Sequence, residues 1–312
     1  MRLRQLGSTA RPTISDSCQP GIQMGIHHRS DVKFKTKYMK QIYRLCILLS
    51  IFSSLRIQAA DVDKQYHLIG HRGGVTENCC HPENSLAALD EAVERGYTGV
   101  EIDIRESKDG VLFLYHYATL ERDYASKARC ADLTWEEIQQ LKPLHKEGKA
   151  PVSVEEYCRY AQGKITELML DIKLDHPSQA FYEELYRILK ETGFINHSYF
   201  IGHGNFFLGK GKITMLISER EEFFQKYGEK TKDYYFLFAG IDELNSRLIR
   251  WCQEHGIQIM ACVNRPYKHP VTQQGLEEAF RDLEWLKSWG VTYYQIDSDY
   301  DRPFRSSTAP SL

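Results

Sequence analysis

From residue 61 onward, apolar positions fall into short β-rich runs separated by stretches with helical spacing. Eight such runs recur, at residues 66–70, 99–104, 167–172, 199–202, 213–217, 235–238, 257–263 and 293–296. The helical stretches stop at Gly96, Gly163, Gly193, Gly256 and Gly290, the residue type that best takes the left-handed conformation of a helix end. Thr134-Trp135-Glu136-Glu137 and Ser153-Val154-Glu155-Glu156 read as capping boxes, with Leu133 and Val152 placed for hydrophobic staples. The first helix is expected to open with Pro82 and to bury Leu86, Leu89 and Val93. Strands alternating with helices predict an α/β protein, and eight units predict a closed (β/α)8 TIM barrel. The stretch 202–211 lacks a helical pattern and is the weakest crossover.

One apolar run, residues 111–116, breaks the alternation. It follows Asp109-Gly110, a strong hairpin signal, so a small inserted β-hairpin is expected after strand 2. A two-residue loop would set His116 directly opposite Asp103, with both side chains on one face.

Over the whole chain of 312 residues, 40 basic and 42 acidic side chains nearly balance, but the first 60 residues hold ten basic and two acidic ones. The remainder therefore carries a net charge near −10. That sign disfavours a nucleic-acid partner. Within the leader, Lys40 and Arg44 precede an apolar run at residues 45–52 that leads to Ala59-Ala60. This layout reads as a signal peptide, too short for a stable membrane span, and predicts an exported protein, periplasmic or extracellular after cleavage. Met39 makes a more natural start than Met1. The organisation expected is a leader at residues 1–60 and a barrel domain at 61–312. Six cysteines remain after the leader; Cys158 and Cys252 sit in helical patterns as core residues. Cys79-Cys80-His81 lacks a second cluster at ligand spacing, which argues against zinc.

Residues two apart in a strand share a face, so Glu101 and Asp103 present paired carboxylates, and Asp171 with Lys173 does the same one barrel strand later. Three carboxylates meeting at a barrel mouth call for a cation between them, and all-oxygen ligands favour Ca²⁺ or Mg²⁺. His71 and Arg72 end the first strand, followed by Gly73-Gly74, which permits close backbone approach to a ligand. Two histidines, His71 and His116, can serve as acid and base, and Arg72 with Lys173 supplies fixed positive charge for a phosphate. Together these groups describe phosphoryl chemistry.

The order His71-Arg72-Gly73-Gly74, Pro82-Glu83-Asn84-Ser85, Glu101-Ile102-Asp103-Ile104, Lys108-Asp109-Gly110 and His116 resembles the glycerophosphodiester phosphodiesterase family. The resemblance is dense over residues 66–124 and continues through Leu170-Asp171-Ile172-Lys173, Val263-Asn264 and Gln295-Ile296-Asp297. It implies a (β/α) barrel with an inserted hairpin that hydrolyses glycerophosphodiesters to an alcohol and glycerol 3-phosphate with a divalent cation. By position it implies Glu101, Asp103 and Asp171 as metal ligands, His71 and His116 as the acid/base pair, and Arg72 and Lys173 on the phosphate. Glu83, at the start of the first crossover helix, would support the metal or a substrate hydroxyl.

The chain departs from the family pattern in three places. Tyr117 stands where the family usually has Asp, Asp171 where it usually has Glu, and Ala261-Cys262-Val263-Asn264 where a tryptophan often lies. The first departure puts the orientation of His116 in doubt, and the other two bear on substrate identity. Two other readings compete. A sphingomyelinase D or phospholipase D-like enzyme also resembles this chain in its Asp-x-Lys strand, and a catalytically impaired phosphodiester-binding protein would suit Tyr117.

Overall fold

The computed structural model describes residues 62–74, 81–144, 148–264 and 272–305. The leader, its signal-peptide motif, Cys79 and Cys80 lie outside the described residues. Nine strands form one sheet: β1 (His67–Gly70), β2 (Gly99–Glu106), β3 (Leu112–Leu114), β4 (Glu167–Ile172), β5 (Ser198–Ile201), β6 (Lys212–Met215), β7 (Tyr235–Gly240), β8 (Gln258–Val263) and β9 (Tyr293–Ile296). The order β1-β9-β8-β7-β6-β5-β4-β2 closes on itself through β1–β2 pairing, and those eight strands run parallel. This is the closed (β/α)8 barrel expected from the alternation.

The β3 strand pairs antiparallel with β2 at the barrel's rim, as an inserted hairpin should. Its register differs from the expected one. Ile104 faces Leu114 and Arg105 faces Phe113, so the pairing is shifted by one residue and Tyr115, not His116, donates its N–H to the Asp103 carbonyl. The cause is loop length: Ser107 to Val111 form the turn, with Ser107 N–H donating to the Val111 carbonyl, in place of a two-residue loop. A one-residue slip turns side chains over, so His116 does not reach the site as a cross-strand partner of Asp103. It lies beyond the end of β3, in coil.

Helix α1 (Leu86–Glu94) starts later than Pro82, because Ser85 is its N-cap and accepts the Ala88 N–H. It buries Ala88, Leu89 and Ala92 fully, while Leu86 and Val93 pack on the core partly exposed. Burying Leu89 alone contributes roughly 2 kcal/mol. The residues from Pro82 to Ser85 are thereby released from the helix and run across the barrel mouth. Helix α2 (Glu121–Tyr124) follows the hairpin, and α3 (Trp135–Gln139) begins at the Thr134 capping box, both halves of which are present. The remaining helices are α4 (Val154–Ala161), α5 (Gln179–Glu191), α6 (Arg220–Tyr227) with the short α7 (Thr231–Tyr234) in the same crossover, α8 (Ser246–Glu254) and α9 (Gln273–Ser288). Between β5 and β6 only a single 3-10 turn, Asn205–Phe207, replaces a helix; Phe207 stacks on Phe200 with ring centroids 3.9 Å apart and covers the sheet there.

Two hydrophobic clusters explain how the barrel presents its chemistry. The large one lies between sheet and helices; the small one, Ile69, Met169, Tyr199, Phe236 and Met260, fills the barrel. Met169 is in register with Glu101, and Asp103 with Asp171. Strand alternation therefore stacks the carboxylates on the inner face, directly above an apolar plug. Cys130, Cys158, Cys252 and Cys262 are free thiols, with Cys158 and Cys252 in the core as expected. Among the described residues no helix is long and apolar enough to cross a membrane.

Candidate active site

The charged residues carried by β1, β2 and β4 lie on or just past those strands, and other residues of the site come from the loops that follow, on the face where the loops of such barrels gather. Glu101 and Asp103 on β2 are almost completely buried, and Asp171 on β4 is partly so. One oxygen from each lies within 4.8 Å of the others. Burial first, then the neighbouring carboxylates Asp103 and Asp171, hold Glu101 well above the usual carboxylate range. Burial raises Asp171 too, against the pull of Lys173. The cluster thus concentrates negative charge where water cannot screen it. An all-oxygen donor set of this kind fits a hard divalent ion, and Glu101, Asp103 and Asp171 could hold one.

Two cations already lean on the cluster. Lys173, one residue past β4, sets Nζ 2.5 Å from Asp171 Oδ2 and 3.2 Å from Asp103 Oδ1. Arg72 donates its backbone N–H to Glu101 Oε2 at 3.0 Å, and its Nε lies 3.2 Å from Asp103 Oδ2 at ion-pair distance, without hydrogen-bond geometry. The Arg72 backbone is left-handed, at φ +51°, within the 3-10 turn His71–Gly73 that ends β1. Gly73 makes this turn possible: a Cβ there would meet Ala88 Cβ at 2.6 Å.

Glu83 precedes the Ser85 cap, so it does not lie in the first turn of α1 as the sequence suggested. Its two oxygens are taken by two arginines, Arg72 Nη1 at 3.1 Å and Arg122 Nη1 at 2.8 Å. Glu83 therefore orients Arg72 directly. Arg122 also donates to the Tyr117 hydroxyl and lies 4.7 Å over that ring, so Tyr117 is occupied as a platform for a guanidinium.

The two histidines arrive differently. His71 Nδ1 is 2.9 Å from Asp297 Oδ1, a buried carboxylate just past β9, which leaves Nε2 for chemistry. His116 has no such partner: its Nδ1 is buried and unpaired among the described residues. Burial pushes His116 down to about 4, with Arg72 and Lys173 acting in the same direction and Asp103 and Glu83 opposing. The charged groups that act on its ring are thus those of the site, although the expected strand pairing is not made.

Several site residues escaped assignment from sequence. Asn84, at φ +58°, donates from Nδ2 to Asp103 Oδ2 at 2.8 Å and accepts the Asp103 backbone N–H at 3.1 Å. It lay inside the Pro82-Glu83-Asn84-Ser85 run, which was the only signal. Asp297 lay at the end of the last strand, and its position was its signal. Asn264 Nδ2 and Cys262 Sγ both donate to Gln295 Oε1, at 2.9 Å and 3.1 Å, bringing the late β8 and β9 motifs together at the same rim.

The model of the glycerophosphoryl diester phosphodiesterase family matches residues 71–284, which include every one of His71, Arg72, Glu83, Glu101, Asp103, His116, Asp171 and Lys173. The chain belongs to this family. Among its relatives, human glycerophosphodiester phosphodiesterase 1 is 39% identical over 105 residues, covering 32% of this chain and 31% of the relative. A glycerophosphodiester phosphodiesterase from Caldanaerobacter subterraneus is 39% identical over 74 residues, 24% of this chain and 29% of that one. The matched segment thus spans about a third or less of those relatives' length. Solved family structures extend the likeness in fold. A glycerophosphoryl diester phosphodiesterase from Parabacteroides distasonis superposes with a TM-score of 0.60 at 22% identity, over 78% of this chain and 93% of that one. An Oleispira antarctica phosphodiesterase, solved with the product sn-glycerol-3-phosphate, gives 0.56 at 18% identity over 75% and 93% of the two chains.

Proposed function

We propose that this chain is a phosphoric diester hydrolase that cleaves glycerophosphodiesters to an alcohol and glycerol 3-phosphate, using Ca²⁺ or Mg²⁺ held by Glu101, Asp103 and Asp171. The observation that carries the reading is the convergence of three carboxylates within 4.8 Å, flanked by histidines from two other chain segments. Membership of the family and the names of its relatives support the substrate class. A bound divalent ion would supply charge neutralisation at the non-bridging phosphate oxygens.

The chain's own groups account for the rest. Arg72, anchored by Glu83 and Asp103, and Lys173, anchored by Asp171 and Asp103, face the phosphate as fork and point charge. His116 is neutral at neutral pH because burial disfavours its charged form, so it accepts the proton of the nucleophile, either water or the adjacent glycerol hydroxyl, the cyclic phosphate formed on the second route being opened by water to glycerol 3-phosphate. His71, steadied by Asp297, delivers a proton to the leaving alcohol oxygen. The leader reading completes the proposal with export from the cytoplasm. The competing reading of a binding protein without turnover draws on the unpartnered His116 Nδ1.

A turnover screen decides between them. Glycerophosphodiesters with varied alcohols, and sphingomyelin as the contrasting lipid, are incubated in EDTA and then with Ca²⁺ or Mg²⁺ restored, with products read by phosphorus NMR. Release of glycerol 3-phosphate only when the ion is restored supports the proposal. Ion binding with no turnover on any diester supports the binding protein, and turnover of sphingomyelin alone supports the sphingomyelinase D-like enzyme.

A further inference from the structure

The β3 strand ends at Leu114 and β4 at Ile172, and the last ladder bonds beyond them are Tyr115 N–H to the Asp103 carbonyl and Lys173 N–H to the Ile104 carbonyl, so the sheet holds neither His116 nor the carbonyl of Lys173. Their backbone carbonyls are nevertheless fixed, and by one side chain. Arg105 follows Asp103 by two positions on β2 and shares its strand face. It donates from Nη2 to the His116 carbonyl at 2.7 Å and from Nη1 to the Lys173 carbonyl. A guanidinium offers its N–H groups in a rigid planar fork, so two carbonyls bound to one fork are held at a fixed separation. The fork thereby extends the tie between hairpin and barrel strand beyond the point where ladder bonds stop.

His116 has particular need of this tie. A catalytic imidazole is usually steered by a partner on its second nitrogen, as Asp297 steers His71. The Nδ1 of His116 has none among the described residues, and the neighbouring position is Tyr117, whose hydroxyl and ring are taken by Arg122. With no hydrogen bond on Nδ1 and an edge-on contact to the Tyr117 ring at 4.6 Å between centroids, the imidazole takes its place from that packing and from its backbone.

Resting on the function proposed above, we propose that Arg105 is a positioning residue that locks the backbone at His116 and Lys173, holding the imidazole and the phosphate-facing ammonium in one geometry over the carboxylate cluster. It acts through those two residues and needs no contact with substrate. An arginine serving only to brace the hairpin would affect unfolding and leave the His116 ring where it is.

The test uses the full chain with Arg105→Met and Arg105→Lys, each made alone and in a His116→Ala background. Two readouts are taken: steady-state kinetics, and ring NMR of protein labelled with ¹⁵N-histidine. Arg105→Met is expected to lower kcat by about 10- to 100-fold with KM nearly unchanged, as displacement of a reacting group by about an ångström does. It should also move or broaden the His116 ring signals while those of His71 stay in place. In the His116→Ala background the further loss should shrink to about twofold or less, because groups that act as a unit are not additive. Arg105→Lys keeps a charge but loses the fork, and should recover part of the rate. Unmoved His116 signals, or an equal loss in both backgrounds, would overturn the proposal. If Arg105→Met does not fold, the lysine variant carries the same comparison. Wild-type protein that cleaves no diester would overturn the functional reading instead, and the ring signals alone would then decide the role of Arg105.

Discussion

The Nδ1 of His71 lies 2.9 Å from Oδ1 of Asp297, joining the residue that follows the first barrel strand to the one that follows the last. Because β1 and β9 are hydrogen-bonded neighbours, closure of the barrel itself creates this pair. Removing the carboxylate in Asp297→Ala should leave the ring free to rotate and lower kcat by about 10²-fold, the scale of a general acid's contribution, with KM little changed. Steady-state kinetics alongside circular dichroism check this, and near-normal kcat would remove Asp297 from the mechanism.

Acid–base behaviour of His116 gives a second expectation. Its value of about 4 in the folded chain lies below the ordinary histidine value near 6.5, chiefly through burial. The ring should therefore remain a proton acceptor at about pH 5.5, where an exposed histidine is mostly charged. Between those two values the unfolded chain holds a proton that the folded chain does not, so this group makes stability rise with pH across that window. Ring NMR of ¹⁵N-histidine-labelled protein reads the midpoint directly; a His116 midpoint near 6.5 would contradict the lowering by burial.

The carboxylates have the opposite sign. Glu101 and Asp171 are raised in the folded chain, so their contribution is fully present below the unfolded carboxylate values and is lost as pH rises through the folded ones. A divalent ion relieves the repulsion that causes the loss. The rise in Tm on adding Ca²⁺ or Mg²⁺ after EDTA should accordingly be larger near about pH 8 than near about pH 5. Differential scanning fluorimetry measures it, and an equal or reversed gain would argue against a cation at this cluster.

Gly73 supplies a structural test. A Cβ at this position, φ +89°, would meet Ala88 Cβ at 2.6 Å, so either α1 or the turn carrying Arg72 must move. Gly73→Ala should lose about 1–3 kcal/mol of stability from backbone strain and also lower turnover, because Arg72 N–H leaves Glu101. Urea unfolding and kinetics on the same sample check both effects; unchanged turnover would mean that the turn tolerates the shift.

Much of this architecture was legible in the pattern of the chain. The eight parallel strands fall where the apolar runs place them, because barrel strands buried on both faces leave long β-rich signatures between helix caps. The inward pairing of Glu101 with Asp103 follows from strand period alone. What sequence could not give was register and partnership. Asp109-Gly110 signalled a hairpin but did not reveal that Ser107 and Val111 close a longer turn, so the facing of His116 was one residue out. Pro82 looked like a helix start, whereas Ser85 took the cap and freed Glu83 and Asn84 for the mouth. Arg105 carries no local motif, and the Gln295-Ile296-Asp297 motif does not name a partner for Asp297; their roles arise from bonds between distant segments that only the closed barrel brings together.

The central claim is that Glu101, Asp103 and Asp171 hold the ion on which diester cleavage depends. Calorimetric titration of Ca²⁺ or Mg²⁺ into EDTA-stripped wild-type protein and the Glu101→Gln variant, with glycerophosphodiester turnover followed on the same samples, tests it most directly. Saturable binding and restored turnover in the wild type, with both at least about tenfold weaker in the variant, is the predicted result. Full turnover of the stripped wild type in EDTA, or unchanged ion affinity and rate in Glu101→Gln, would contradict it.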